Sequence, residues 1–133
     1  MKQLFPFAVG AAIILTLLSF RKIQSDLVES IKRGKEIYSN NCLTCHMDSG
    51  EGIEGVYPPL AKSDYLMADK NRSIQQILEG SIGTMTVNGI KYNGFMTPFN
   101  LNDQEVSDVL NYVRNSWGNK GGPVTPAEVK ALR

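Results

Sequence analysis

Residues 42–46 read Cys-Leu-Thr-Cys-His and contain both cysteines and the single histidine of a 133-residue chain. This run constrains the fold more than any other feature, because all the strong metal-binding and covalent chemistry lies within five positions. The spacing Cys-x-x-Cys-His has three chemical meanings: a redox dithiol, half of a zinc site, or covalent haem attachment. Each predicts different surroundings.

The surroundings begin with a leader. Residues 4–20 are uncharged and mostly apolar, and Lys2 is the one charge before them. Such a run suits the hydrophobic part of an export signal and is at the short edge of a membrane span. No Ala-x-Ala site precedes the polar stretch Arg21–Asp26. Arg21 and Lys22 would lie on the outer side, against the positive-inside tendency of an anchor. Cleavage and retention as an anchor both stay open. Loss of the leader removes Lys2, leaving 13 basic and 13 acidic residues. A formally neutral exported part excludes the basic field that nucleic acid requires. Export also bears on the thiols, which outside the cytoplasm are oxidised or otherwise capped.

The remaining pattern is mostly helical. Leu27, Val28, Ile31, Lys35 and Tyr38 fall near one face of a helix predicted over Asp26–Asn40, with Ser25 as its cap. Gly34 is costly there, by about 1 kcal/mol against Ala, and points to close approach of another helix. Residues 48–60 form a glycine- and proline-punctuated loop. A short helix follows Ser63, and another is predicted at residues 73–80 with Ser73 as cap, Gln76 in the capping box and Gly80 as stop. Asn88-Gly89 between Val87 and Ile90 is a hairpin-turn signal. The clearest helix starts at Asn102 with Glu105, carries Val106, Val109, Leu110, Val113 and Trp117 as a stripe, and closes at Gly118. A last short helix has Thr125 as cap, Pro126 first and Glu128 third.

This context separates the three meanings. A thioredoxin-like dithiol needs a βαβ scaffold, and no alternating strands surround the motif. Structural zinc needs four ligands, whereas the chain has three Cys and His residues, two of them adjacent. Haem attachment uses every part: two thiols for the two vinyl groups, and the next histidine as proximal iron ligand. Because there is one histidine, bis-histidine ligation within the chain is excluded, leaving methionine, lysine or an open site. Met47 is too close to His46 to reach the opposite face, and Met67 reads as a helical core side chain. Met85 and Met96 fall in the loop region before the last long helix. Met96 is favoured because Pro98 stiffens its surroundings.

At this point the chain resembles the class I c-type cytochromes, in particular single-haem bacterial domains, over about residues 27–118. The motifs are RGKEIYSNNCLTCH, GIEGVYPPLAKSDY, NGIKYNGFMTPF and LNDQEVSDVLNYVRNSWGN. The resemblance implies an all-α fold around one haem c, with a short β-hairpin before the distal ligand and the first and last helices crossing beside the haem. Gly34, Tyr38 and Tyr112 match the family's crossing residues. Pro58, with Pro59 as fallback, matches the proline whose carbonyl accepts the imidazole proton, and Met96 matches the distal methionine. Thr97 stands where the common form has proline.

The implied organisation is a signal peptide or uncleaved anchor at 1–22, a cytochrome c domain at 23–119 and a C-terminal tail with a short helix at 120–133. The implied cofactor is one haem c, joined covalently by thioethers to Cys42 and Cys45, with His46 and Met96 on the iron. The implied function is one-electron transfer in the periplasm or on the outer face of the inner membrane, with transient redox donors and acceptors and a membrane tether through residues 4–20 if the leader is kept. No nucleophile–base pair is visible, so the chain reads as an electron-transfer protein and not an enzyme. Two alternatives stand beside it: a fixed haem subunit of an oxidoreductase complex, and an open-site haem enzyme or gas sensor. Leu60, Phe95, Phe99 and Val113 are expected to exclude water from the iron.

Overall fold

The computed structural model describes residues 5–133, with side chains from Arg21 onward apart from that of residue 23. The leader stretch, residues 4–20, lies outside the described side chains. Among the described residues no helix is long and apolar enough to cross a membrane.

Helix α1 spans Phe5–Asn41 and runs into the Cys-x-x-Cys-His turn, whose second half is the short helix α2, Leu43–His46. Ser25 does not cap α1, because it lies inside the helix and its hydroxyl donates to the Lys22 carbonyl at 2.8 Å. The inward face also differs from the apolar reading. Val28 and Lys35 are exposed, while Ser30, Gly34 and Tyr38 are buried. A buried serine is invisible to a hydrophobic stripe, and its partner lies 78 positions away.

That partner is on helix α5, Asp103–Val113, which begins with the Asn102–Glu105 capping box. Helices α1 and α5 cross at Gly34, where an added Cβ would lie 1.9 Å from the Asp108 carbonyl oxygen and 2.8 Å from Tyr112 Cβ. Only glycine permits this approach. Beside the crossing, the Asp108 carboxylate is buried and accepts from Ser30 at 2.5 Å, Arg33 Nε at 2.7 Å and Gln104 at 2.9 Å. On the other side of Gly34, Tyr38 packs on Tyr112 with ring centroids 5.4 Å apart and on Trp117 at 5.1 Å. Trp117 lies beyond the helix, in a left-handed conformation with φ 53°, so α5 ends a turn earlier than its apolar stripe.

Helix α3, Asp64–Ala68, follows Ser63 as expected, and the Ser63 hydroxyl caps it by accepting from Leu66 N. Helix α4, Lys70–Glu79, starts before its predicted position, with Asp69 as cap. Ser73 is a buried interior residue whose hydroxyl donates to the carbonyls of Leu66 and Asp69. Aspartate takes the cap because its side chain accepts from the free Arg72 amide.

Between α4 and α5 lie two seven-residue strands, β1 Ser81–Val87 and β2 Ile90–Met96, paired antiparallel from Val87 opposite Ile90 to Ser81 opposite Met96. Asn88 and Gly89 both have positive φ, as a tight two-residue hairpin requires. Met85 and Met96 therefore sit in strands and not in a loop. Helix α6, Pro126–Ala131, has the expected Thr125–Glu128 capping box. Its Val129, with Val124 before it, joins the core formed by Tyr38, Leu66, Ile74, Val106, Val109, Leu110 and Val113.

Candidate haem-binding site

The end of α1 delivers Cys42 one turn before His46, and the amides of Cys45 and His46 both donate to the Cys42 carbonyl. This short turn is what a Cys-x-x-Cys-His spacing needs to present both sulfurs and the imidazole to one side. Tyr38 Oη donates to the Met47 carbonyl at 2.5 Å, which ties the turn to the aromatic cluster at the crossing. The following loop folds back: Leu60 N and Ala61 N both donate to the Gly50 carbonyl, at 2.7 and 2.8 Å. That closure brings Pro58 to the imidazole, and His46 Nδ1 lies 2.9 Å from the Pro58 carbonyl oxygen. A carbonyl can only accept, so Nδ1 carries the proton and Nε2 keeps its lone pair.

Cys42, Cys45, His46 and Pro58 line a cavity of about 510 Å³. Met85 and Met96 of the hairpin also line it, as do Leu60, Phe99 and Val113. Every site residue singled out in the sequence therefore reaches the same space. Met67 and Met47 do not line it. Phe95 also borders the cavity, but it is 69% exposed and forms the rim rather than a seal. Sequence reasoning missed the site role of three residues. Asn119 donates to the carbonyls of Leu60 and Val113, joining two cavity walls at 2.8 and 2.7 Å. Tyr65 and Gln76 add polar groups from α3 and α4. Tyr65 and Asn119 end motifs quoted above and Gln76 was read as a capping residue, but nothing in the sequence ties them to the cavity, since that depends on which chain segments meet there.

The donor set fits a haem. The cavity volume is in the range of small-molecule sites, and the walls are largely apolar. Burial pushes the Cys42 thiol up to about 11, with Cys45 adding to the effect. A thioether at that position has no charge to desolvate. Burial also holds the His46 imidazolium below its ordinary range, opposed by the Pro58 carbonyl. The neutral ring with a free Nε2 is the form that ligates iron.

Residues 31–117 match the family model for Cytochrome c. The chain belongs to the cytochrome c family. It is 41% identical over 110 residues to cytochrome c-552 of Thermus thermophilus, across 75% of this chain and 83% of that protein. It is 34% identical over 105 residues to the cytochrome c subunit of a quinone alcohol dehydrogenase of Gluconobacter oxydans, across 75% of this chain and 22% of that subunit. It is 30% identical over 115 residues to the FixP subunit of the cbb3-type cytochrome c oxidase of Bradyrhizobium diazoefficiens, across 84% and 38%. This cytochrome carries one covalently bound haem c, and the pair Cys42 and Cys45 fits its attachment. It is an electron-transfer protein and not itself an enzyme.

Proposed function

We propose that this cytochrome carries single electrons outside the cytoplasm, with its haem bound through Cys42 and Cys45 and its iron held between His46 and Met96. The carrying observation is convergence: one apolar cavity receives the Cys-x-x-Cys-His turn and, fifty positions downstream, the end of β2. Haem iron supplies the one-electron couple, and a thioether opposite an imidazole favours its ferrous form. The protein's part is positional. The Pro58 carbonyl fixes the imidazole tautomer and ring plane and makes Nε2 a stronger donor. Met96 is held at a strand end whose following segment is stiffened by Pro98 and pinned by the Phe99 amide, which donates to the Ile77 carbonyl at 3.0 Å. Leu60, Phe99 and Val113 exclude water.

Redox partners meet the cavity mouth. Val56, Tyr57 and Phe95 border the cavity and are exposed, and Ile82, cross-strand from Phe95, is 91% exposed. An apolar rim of this kind supports brief docking of electron donors and acceptors. We divide the chain into a leader at 1–22, the haem domain at 23–119 and a C-terminal segment at 120–133.

A second reading, a haem subunit fixed in an oxidoreductase complex, is favoured by the relatives that are subunits of a dehydrogenase and an oxidase. It would use residues 4–20 as a tether. N-terminal sequencing of the mature protein separates the two: a start between Arg21 and Asp26 supports a diffusible carrier, and a retained Met1 supports the fixed subunit. The ligand set is tested by the ferric spectrum. A thioether-to-iron charge-transfer band near the red end is expected, and its loss in Met96→Ala, with haem still attached and a lower potential, completes the assignment. A high-spin wild-type spectrum would remove the carrier reading.

A further inference from the structure

A glycine inside a strand calls for a cause, because it packs nothing and loosens the pairing. The causes are a bulge, a backbone conformation closed to other residues, or the close approach of another backbone or a ligand. Strand β2 contains one such residue, Gly94, two positions before Met96 and on the same face. A bulge is excluded, since the hairpin pairs residue for residue along its whole length. Backbone conformation is excluded as well. Gly94 is not among the residues with positive φ, whereas its cross-strand partner Gly83 has φ +105°. Protein crowding is the third to fall: a Cβ at position 94 would meet one protein atom within 4 Å, the Val56 carbonyl oxygen at 3.9 Å, an ordinary contact.

A ligand remains, and Gly94 borders the cavity with Met85, Tyr92 and Met96 of the same strand face. We propose that Gly94 is a positioning residue for the distal iron ligand: its bare backbone is the clearance that lets the porphyrin lie against β2, within reach of the Met96 sulfur. Gly83 is glycine for its backbone, and Gly94 is glycine for the cofactor. This rests on the His46–Met96 ligation proposed above.

The test is a graded series in the holoprotein, Gly94→Ala and Gly94→Val, with Asn93→Val as control. Asn93 is the neighbouring residue on the exposed outer face. Three readouts are taken: haem per polypeptide, the ferric thioether charge-transfer band, and the affinity for added imidazole. Gly94→Ala should weaken the band, and Gly94→Val should abolish it. Freeing the iron from Met96 should tighten imidazole binding by at least about tenfold, since the open population rises. Asn93→Val should match wild type in all three. If Gly94→Val does not mature, Gly94→Ala decides through band intensity and imidazole affinity. Wild-type band and affinity in both Gly94 variants, or in Gly94→Ala alone when Gly94→Val is lost, would overturn the inference. So would an equal loss in Asn93→Val. A wild-type protein lacking the band would instead sink the ligation reading, so the two failures are distinguishable.

Discussion

His46 Nδ1 donates to the Pro58 carbonyl oxygen at 2.9 Å, so a backbone atom twelve positions downstream orients the imidazole. Gly52 holds that backbone in place. Its φ is +63°, and a Cβ there would lie 2.3 Å from the Tyr57 carbonyl oxygen and 2.8 Å from that of Pro58.

Gly52→Ala therefore tests the contact without touching a ligand. The added methyl should push the Pro58 carbonyl away, weaken the imidazole as a donor and stabilise the ferric state less. The reduction potential should rise, by up to about 59 mV for a tenfold change in a one-electron equilibrium. Strain at the left-handed position should cost roughly 1–3 kcal/mol of stability. Voltammetry and denaturant unfolding measure the two effects, and an unchanged potential would show that the Pro58 bond does not tune the iron.

The α1–α5 crossing makes a stability prediction. Gly34→Ala places a carbon 1.9 Å from the Asp108 carbonyl oxygen, and nothing at that site is a flexible side-chain end. Overpacking of this kind costs about 1–3 kcal/mol. Asp108→Ala acts differently, leaving the buried Ser30 hydroxyl without its acceptor at a cost of about 1–3 kcal/mol, while Gln104 is exposed and can regain water. Arg33 is half exposed and can regain water, so its share is small. Unfolding of the holoproteins should show both losses with the haem spectrum unchanged. A wild-type midpoint in Gly34→Ala would mean that the helices do not cross this closely.

Features determined locally were legible in the sequence. The capping boxes at Asn102 and Thr125 and the Asn88-Gly89 turn involve residues three or fewer positions apart, and all form as expected. Readings that depended on distant partners went astray. Ser73 resembles a cap but is buried against the Leu66 carbonyl, and the inward face of α1 includes Ser30 because Asp108 awaits it. The proximal half of the candidate site could be assembled from the sequence because Cys42, Cys45 and His46 lie within five positions. The distal half was less determined: the residues left two methionines, favoured Met96 through Pro98, and the resemblance then pointed to the same residue. Both border the cavity, yet Met96 pairs with Ser81 and Met85 with Tyr92, four residues along the hairpin. At about 3.3 Å per residue they are roughly 13 Å apart along the strand direction, too far to exchange at one iron without sliding the hairpin.

The rim makes a prediction about partners. The outer face of the hairpin around Ile82 and Phe95 presents Thr84 and Asn93 and one cation, Lys91, so little charge is available to steer an approach. Electron self-exchange between oxidised and reduced copies, followed by NMR line broadening, should change less than about twofold between low and physiological salt. Steered pairs span about ten- to a thousandfold. Phe95→Glu should slow exchange by about tenfold, within the range seen for variants of one interface, with potential and spectrum unchanged. A steep salt dependence, or a Phe95→Glu rate equal to wild type, would place the docking surface elsewhere.

The C-terminal segment has its own pH signature. Lys70 Nζ pairs with Glu128, whose carboxylate also accepts from Thr125, and these contacts hold the Glu128 carboxyl below the ordinary carboxylate range. A carboxyl depressed in the folded state stabilises the fold above its unfolded pKa. That contribution disappears as pH falls through the lowered folded value. The pair is partly exposed, so its worth is small, about 0.5–1 kcal/mol at neutral pH. Glu128→Gln keeps an acceptor for the Thr125 capping box and removes the charge. Its stability deficit should be present at neutral pH and shrink toward zero as pH falls through the lowered folded value, below which wild-type Glu128 is itself protonated. A deficit that stayed constant with pH would mean that the cap hydrogen bonds, and not the Lys70 pair, hold α6 against the body of the cytochrome.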